Sequence, residues 1–143
     1  MVTMTTIRIL VIEDMVETIS GAFELAALSE FNENMKFDFK RTSQDVDYEN
    51  INEYALVFVD IELAKGSKED GFAVIRRLLN SGLYPLERTL ILTGNTVIEE
   101  KLKENNINPD IEVVKKPVNY EDIEKVLKRK IRLGADGTYS FVG

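Results

Sequence analysis

The sequence predicts an α/β domain: a doubly wound, five-stranded parallel sheet of order 2-1-3-4-5 with about five helices. Three observations predict it. Four short apolar runs, bounded by polar residues, are spaced through the chain as buried strands would be. Segments with helical periodicity lie between them. A fifth segment alternates apolar and charged residues, as a strand at a sheet edge does.

Residues 7–12, IRILVI, are almost continuously apolar, which suits a strand covered on both faces. Val16, Ile19, Phe23, Ala26 and Ala27 share one helical face and define the first helix. In residues 35–40, MKFDFK, Met35, Phe37 and Phe39 alternate with Lys36, Asp38 and Lys40; this is the edge strand. The polar stretch from Ser43 to Glu53, anchored by Val46 and Ile51, reads as a short helix. Residues 55–59, ALVFV, are the third strand. Phe72, Ile75, Leu78 and Leu79 form a helical face behind Ser67-x-x-Asp70, a start that resembles a capping box. Residues 89–92, TLIL, are the fourth strand, and Val97, Ile98 and Leu102 begin a shorter helix. Residues 111–114, IEVV, are the fifth strand. Ile123, Val126, Leu127 and Ile131 mark the last helix, with Asn119 as its N-cap. Gly134 to Gly143 reads as loop, so the domain is assigned to residues 1–133 and a C-terminal tail or linker start to 134–143. Strands alternating with helices give βαβ crossovers, and an edge strand second in the chain gives the flavodoxin-like order.

A chain of 143 residues suits one domain. No apolar run reaches the length of a membrane span, and the N-terminus lacks a secretory pattern. A cytoplasmic protein without a membrane partner is expected. There is no cysteine and no histidine, which excludes disulfides, thiolate chemistry, a Ser-His-Asp triad and a phosphohistidine carrier. The net charge of -7 argues against direct nucleic-acid binding, which needs a basic footprint.

Ligands of open parallel sheets bind outside the carboxyl ends of the strands. The first strand ends in Glu13-Asp14, the third in Asp60, the fourth in Thr93-Gly94-Asn95 and the fifth in Lys115-Lys116-Pro117. Each has an ordinary structural reading. Asp14-x-x-Glu17 fits a capping box, a lone Asp caps loops, and Lys-Pro makes turns. Their convergence on one rim argues against those readings. Three carboxylates in one cleft repel one another, so one must take up a proton or the group must hold a cation. A hard divalent ion bound through oxygens answers that repulsion.

The constellation resembles the receiver domain of bacterial response regulators. The matching pieces are ILVIED at 9–14, LVFVD at 56–60, DG at 70–71, ILTG at 91–94 and VVKKP at 113–117. The resemblance spans about residues 7–132. It implies that Asp60 accepts a phosphoryl group as an aspartyl phosphate. It implies that Glu13, Asp14, Asp60 and the main-chain carbonyl of Glu62 hold Mg²⁺, with Glu13 acting through a water. Thr93 would hydrogen-bond one phosphoryl oxygen, and Lys116, which directly precedes Pro117, would pair with another. Phosphoryl transfer needs positioning and charge neutralisation more than proton transfer. The histidine therefore belongs to the implied donor, a histidine kinase or phosphotransfer protein. On this reading the chain is a phosphoacceptor with self-catalysed phosphorylation and autodephosphorylation, not a turnover enzyme.

The sequence departs from the family pattern in two places. The Asp60–Asp70 loop is about three residues longer, through Lys65-Gly66-Ser67-Lys68, and lacks the usual Pro; a tolerated surface insertion is the simpler account. Val113 stands where the family carries its switch aromatic, so the Thr93-coupled readout on the fourth helix, fifth strand and fifth helix is expected to be weakened or replaced. Glu62 and Asn95 occupy positions that flank the route of the hydrolytic water. The output is a downstream protein or a domain missing from this chain, with a homodimer left open. Two rivals are a degenerate receiver that binds protein without phosphorylation, and a haloacid-dehalogenase-like phosphatase suggested by Asp60-x-Glu62. In the phosphatase the nucleophile comes on the first strand and the acidic pair last, the reverse of the order here. A flavin-binding flavodoxin lacks support, since no phosphate loop follows the first strand.

Overall fold

The structure is a computed structural model describing residues 3–4, 6–31, 34–63, 66–136 and 138–141. Strands β1 (Ile7–Ile12), β2 (Met35–Lys40), β3 (Leu56–Asp60), β4 (Thr89–Thr93) and β5 (Glu112–Lys115) form a parallel sheet of order β2-β1-β3-β4-β5. This is the expected order. Four α-helices connect or flank these strands: α1 (Val16–Glu30), α2 (Gly71–Leu79), α3 (Ile98–Glu104) and α4 (Tyr120–Lys130). The segment read as a short helix is instead two 3₁₀ turns, Ser43–Asp45 and Tyr48–Glu53, which serve as the second crossover.

Burial follows the sequence pattern. Every residue of β3 and β4 is buried, whereas only Met35 of β2 is. α1 and α4 cover one face through Phe23, Ala26, Ile123 and Leu127, packed on Ile9, Val11, Phe58 and Leu90. α2 and α3 cover the other through Val74, Ile75, Leu78 and Leu102, packed on Leu10, Val57, Val59 and Ile91. Phe23 meets Phe58 edge-on at 4.9 Å, an arrangement favoured by the aromatic quadrupole. Arg8, the one charge in β1, lies half-buried between Asp38 at 2.7 Å and Glu53 at 2.8 Å, over the Tyr54 ring.

Two boundaries differ from the sequence reading. Ile131, expected in the last helix, begins β6 (Ile131–Leu133), and the stretch expected to be loop contains β7 (Tyr139–Phe141). These strands pair antiparallel, and β7 also pairs with a two-residue strand, Thr3–Met4. Tyr139 is buried against Phe31 at 5.8 Å, and its hydroxyl accepts a hydrogen bond from Asn34 Nδ2 at 3.2 Å. The Arg88 guanidinium lies 3.9 Å over the Phe141 ring. Packing, rather than a long alternating pattern, therefore makes this strand. Among the described residues no helix is long and apolar enough to cross a membrane.

Candidate functional site

The sheet register assembles the site. Ile12 stands opposite Val59, so Glu13 emerges beside Asp60. Thr93 stands opposite Lys115, and the next amide, Lys116 N, donates to Thr93 O at 2.9 Å. Glu13, Asp60 and Thr93 are all essentially buried, while Asp14 is half-buried. Carboxylate oxygens of Glu13, Asp14 and Asp60 lie within 4.8 Å of one another, an arrangement that could hold a metal ion.

The charges settle as the repulsion argument requires. Lys116 Nζ lies 2.6 Å from Glu13 Oε1 and 3.1 Å from Asp60 Oδ1. Asp60 Oδ1 also accepts from Glu62 N at 3.0 Å. One ammonium does not neutralise three acids. Burial, and a hydrogen bond shared with Asp60, push the Glu13 carboxyl up to about 8, with Lys116 only partly opposing this. Burial also works against the Lys116 charge, but contact with Glu13 and Asp60 outweighs it and raises that pKa. Although Lys116 is close in distance, both Glu13 carboxylate oxygens lack a well-directed hydrogen bond. Buried carboxylate oxygens in that condition are costly unless they meet a proton or a cation. The donor set, three carboxylates with no sulfur or imidazole, suits a hard, oxygen-seeking cation.

The hydroxyl and the rim complete the pocket. Thr93 Oγ1 accepts from Asn95 N at 3.0 Å and lies 3.5 Å from Glu62 Oε1. Asn95 Oδ1 accepts from Val97 N at 2.9 Å, which closes the turn after β4. Glu62 is exposed at the rim. Val113 lies half-buried in β5, three residues before Lys116, and lines a hollow of about 490 Å³ with Val97, Ile98 and Leu102.

The structural readings of Asp14 and Ser67 do not hold. The N-cap of α1 is Met15, with no side-chain cap bond, so the Asp14 carboxylate is left for the pocket. The N-cap of α2 is Asp70, whose side chain accepts from Ala73 N at 2.8 Å. Ser67 belongs to the longer loop. Its Oγ accepts from Ser43 N at 2.9 Å, while Gln44 Nε2 donates to Gly66 O and Gln44 Oε1 accepts from Lys68 N. The described part of the insertion is thus docked on the first 3₁₀ turn; Lys65 lies outside the described residues.

Two residues gain a role that the sequence reading did not give them. A Cβ on Gly71 would stand 2.1 Å from the Asp60 carbonyl oxygen and 2.5 Å from Ile61 Cα, so only glycine lets α2 start against the end of β3. The Asp-Gly pair was visible in sequence, but the contact was not. Arg41, just after β2, reaches back to the β1–α1 loop, and no local signal marks it.

The receiver domain of NtrX from Brucella abortus matches with a TM-score of 0.59 and 22% identity, covering 85% of this chain and 95% of that one. The bacteriophytochrome response regulator AtBRR matches with a TM-score of 0.60 and 21% identity, over 86% and 91% of the two chains. Chemotaxis protein CheY4 of Vibrio cholerae matches with a TM-score of 0.61 and 17% identity, over 87% and 98%. The fold is that of a receiver domain. No protein-family model and no curated relative matches the sequence.

The electrostatics of this cluster predict a pH dependence of stability. Without divalent cation, folded Glu13 keeps its proton to about pH 8, whereas the unfolded chain releases it near the ordinary value of 4.5. This group therefore favours folding fully below about pH 4.5, and that contribution is lost as pH rises to about 8. Denaturant midpoints measured in EDTA from pH 5 to 8 should fall for wild type, and the fall should be smaller in Glu13→Gln. Parallel curves for the two proteins would contradict the assignment.

Proposed function

We propose that the chain is the phosphoryl-accepting receiver domain of a two-component response regulator. The observation that carries this is the Lys116 ammonium set between Asp60 and Glu13, with Asp14 and Thr93 on the same rim. Lone acidic clusters are common; an acceptor carboxylate with an ammonium, a hydroxyl and two further acids around it is a phosphoryl site.

In the proposed step an oxygen of the Asp60 carboxylate attacks the phosphoryl group of a phosphohistidine. The new O–P bond forms as the donor's P–N bond breaks, and the imidazole leaves with the bonding pair. Asp60 is poised by the Glu62 amide and the Lys116 ammonium. Lys116 then moves its charge from the carboxylate to a phosphoryl oxygen, and Thr93 Oγ1 donates to another. Glu13, Asp14, Asp60 and the Glu62 carbonyl would hold Mg²⁺, which neutralises charge on the transferring group. The buried Glu13 carboxylate, which has only the Lys116 ammonium beside it as counter-charge to its acidic neighbours, supports such an ion. Partners on this reading are a histidine kinase or phosphotransfer protein and an effector.

Signalling then requires that phosphorylation favour one of two pre-existing states. Val113 is too small to act as a rotating aromatic, so the Thr93 side of the site must carry a larger share of the change. Loss of the Lys116–Asp60 pair on phosphorylation is the first event available to it.

Incubation with acetyl phosphate and Mg²⁺, followed by intact mass, should show one added phosphoryl group. The adduct should be absent in Asp60→Asn and in EDTA. A well-folded wild type that takes up none would favour a receiver that binds partners without phosphorylation, and repeated turnover of a phosphomonoester would favour a phosphatase. A second prediction concerns decay. Glu62, whose Oε1 lies 3.5 Å from Thr93 Oγ1, would accept a hydrogen bond from the attacking water. Glu62→Ala should reach a similar adduct yield but lose the phosphoryl group several-fold more slowly; an unchanged decay rate would contradict this role.

A further inference from the structure

The β1–α1 loop carries Asp14 but is not held by a side-chain cap. Met15 is the N-cap of α1, at φ -102° and ψ 60°, and offers no polar side chain. Something else must fix the backbone that aims Asp14 at the pocket. Arg41 is the first residue after β2, and the main chain places it close by, since Glu13 N donates to Lys40 O at 2.9 Å. Arg41 Nη1 donates to the Asp14 main-chain oxygen at 2.9 Å and to Glu17 Oε2 at 3.2 Å, while Nη2 pairs with Glu17 Oε1. One planar guanidinium therefore joins the carbonyl of Asp14 to the first turn of α1. The fork geometry is particular to Arg, because an ammonium cannot hold the carbonyl and both carboxylate oxygens in one plane.

We propose that Arg41 is a positioning residue for the cation site, holding the Asp14–Glu17 backbone so that the Asp14 carboxylate faces Glu13 and Asp60. This rests on the reading of that cluster as a cation site. The interaction is exposed, so it adds little to global stability. Its effect lies in geometry, as for groups that orient a metal ligand without touching the metal. Glu17 takes part in the same clamp, which is why the Asp14-x-x-Glu17 spacing looks like a capping box without acting as one.

Charge alone predicts the opposite result, which makes the proposal testable. Arg41 is a cation near the pocket, so removing its charge should tighten binding of a divalent cation if nothing else changes. The test is Mn²⁺ binding to the full chain by calorimetry for wild type, Arg41→Ala and Arg41→Lys, with amide hydrogen exchange of the metal-free proteins. Arg41→Ala should weaken Mn²⁺ binding by about tenfold, the low end for residues that orient ligands. Arg41→Lys, which keeps the charge, should also bind more weakly than wild type. The Thr18 amide, which donates to Met15 O at 3.0 Å, should exchange faster in both variants, while denaturant midpoints stay near wild type. Equal or tighter binding by Arg41→Ala, or wild-type binding by Arg41→Lys, would overturn the proposal. If wild type itself binds no Mn²⁺, the cation reading fails separately. Thr18 exchange then decides the clamp: unchanged in both variants, it overturns the clamp too.

Discussion

Mutual repulsion among Glu13, Asp14 and Asp60 is the constraint on which the site depends. Folding brings three carboxylates to within 4.8 Å of one another, with two of them essentially excluded from water. Such a cluster is stable only with compensating positive charge or a bound proton. Both are present. Lys116 supplies one charge, and Glu13 is driven toward its protonated form. The same arrangement would make the site responsive, because a cation and a proton would act on one electrostatic balance. Cation binding and Glu13 protonation are therefore linked and oppose each other.

The sheet creates this cluster by register rather than by local sequence. β1, β3, β4 and β5 end on one rim, so residues separated by more than a hundred positions in the chain meet there. The backbone around Asp60 is fixed from three sides. Ile61 N donates to Leu92 O at 3.2 Å, Glu62 N donates to Asp60 Oδ1, and Gly71 admits the start of α2 against the Asp60 carbonyl. The described part of the longer loop, from Gly66, does not hang free beside the site. Ser43 and Gln44 use both donors and acceptors to dock it, and Glu69 pairs with Arg77, whose guanidinium lies over the Tyr48 ring. That crossover has given up an α-helix for two 3₁₀ turns, and the loop packs where it lies.

Much of this was legible in the sequence because buried strands end abruptly. The first polar residue after ILVI or LVFV marks the rim, which is why Glu13, Asp60 and Thr93 could be placed from the sequence. The charge argument was legible too, since it needs only residue types and convergence. Arg41, the Gly71 contact and the Ser43–Gln44 clamp were not, because each is a long-range contact without a local pattern. The strand at Tyr139–Phe141 is only three residues long, so its period could not be read. Its partners, Phe31 and Asn34, exist only once the fold is closed. Polar 43–53 lacked the apolar stripe that would distinguish an α-helix from 3₁₀ turns.

We read the carboxylate cluster as a cation site with Lys116 as its resident counter-charge. Diffraction from crystals grown near neutral pH with excess Mn²⁺, read at the manganese edge, tests it most directly. The account predicts one anomalous peak among the carboxylates of Glu13, Asp14 and Asp60, with Lys116 drawn away from Glu13. A cluster without a peak, and with Lys116 still bridging Glu13 and Asp60, would contradict it.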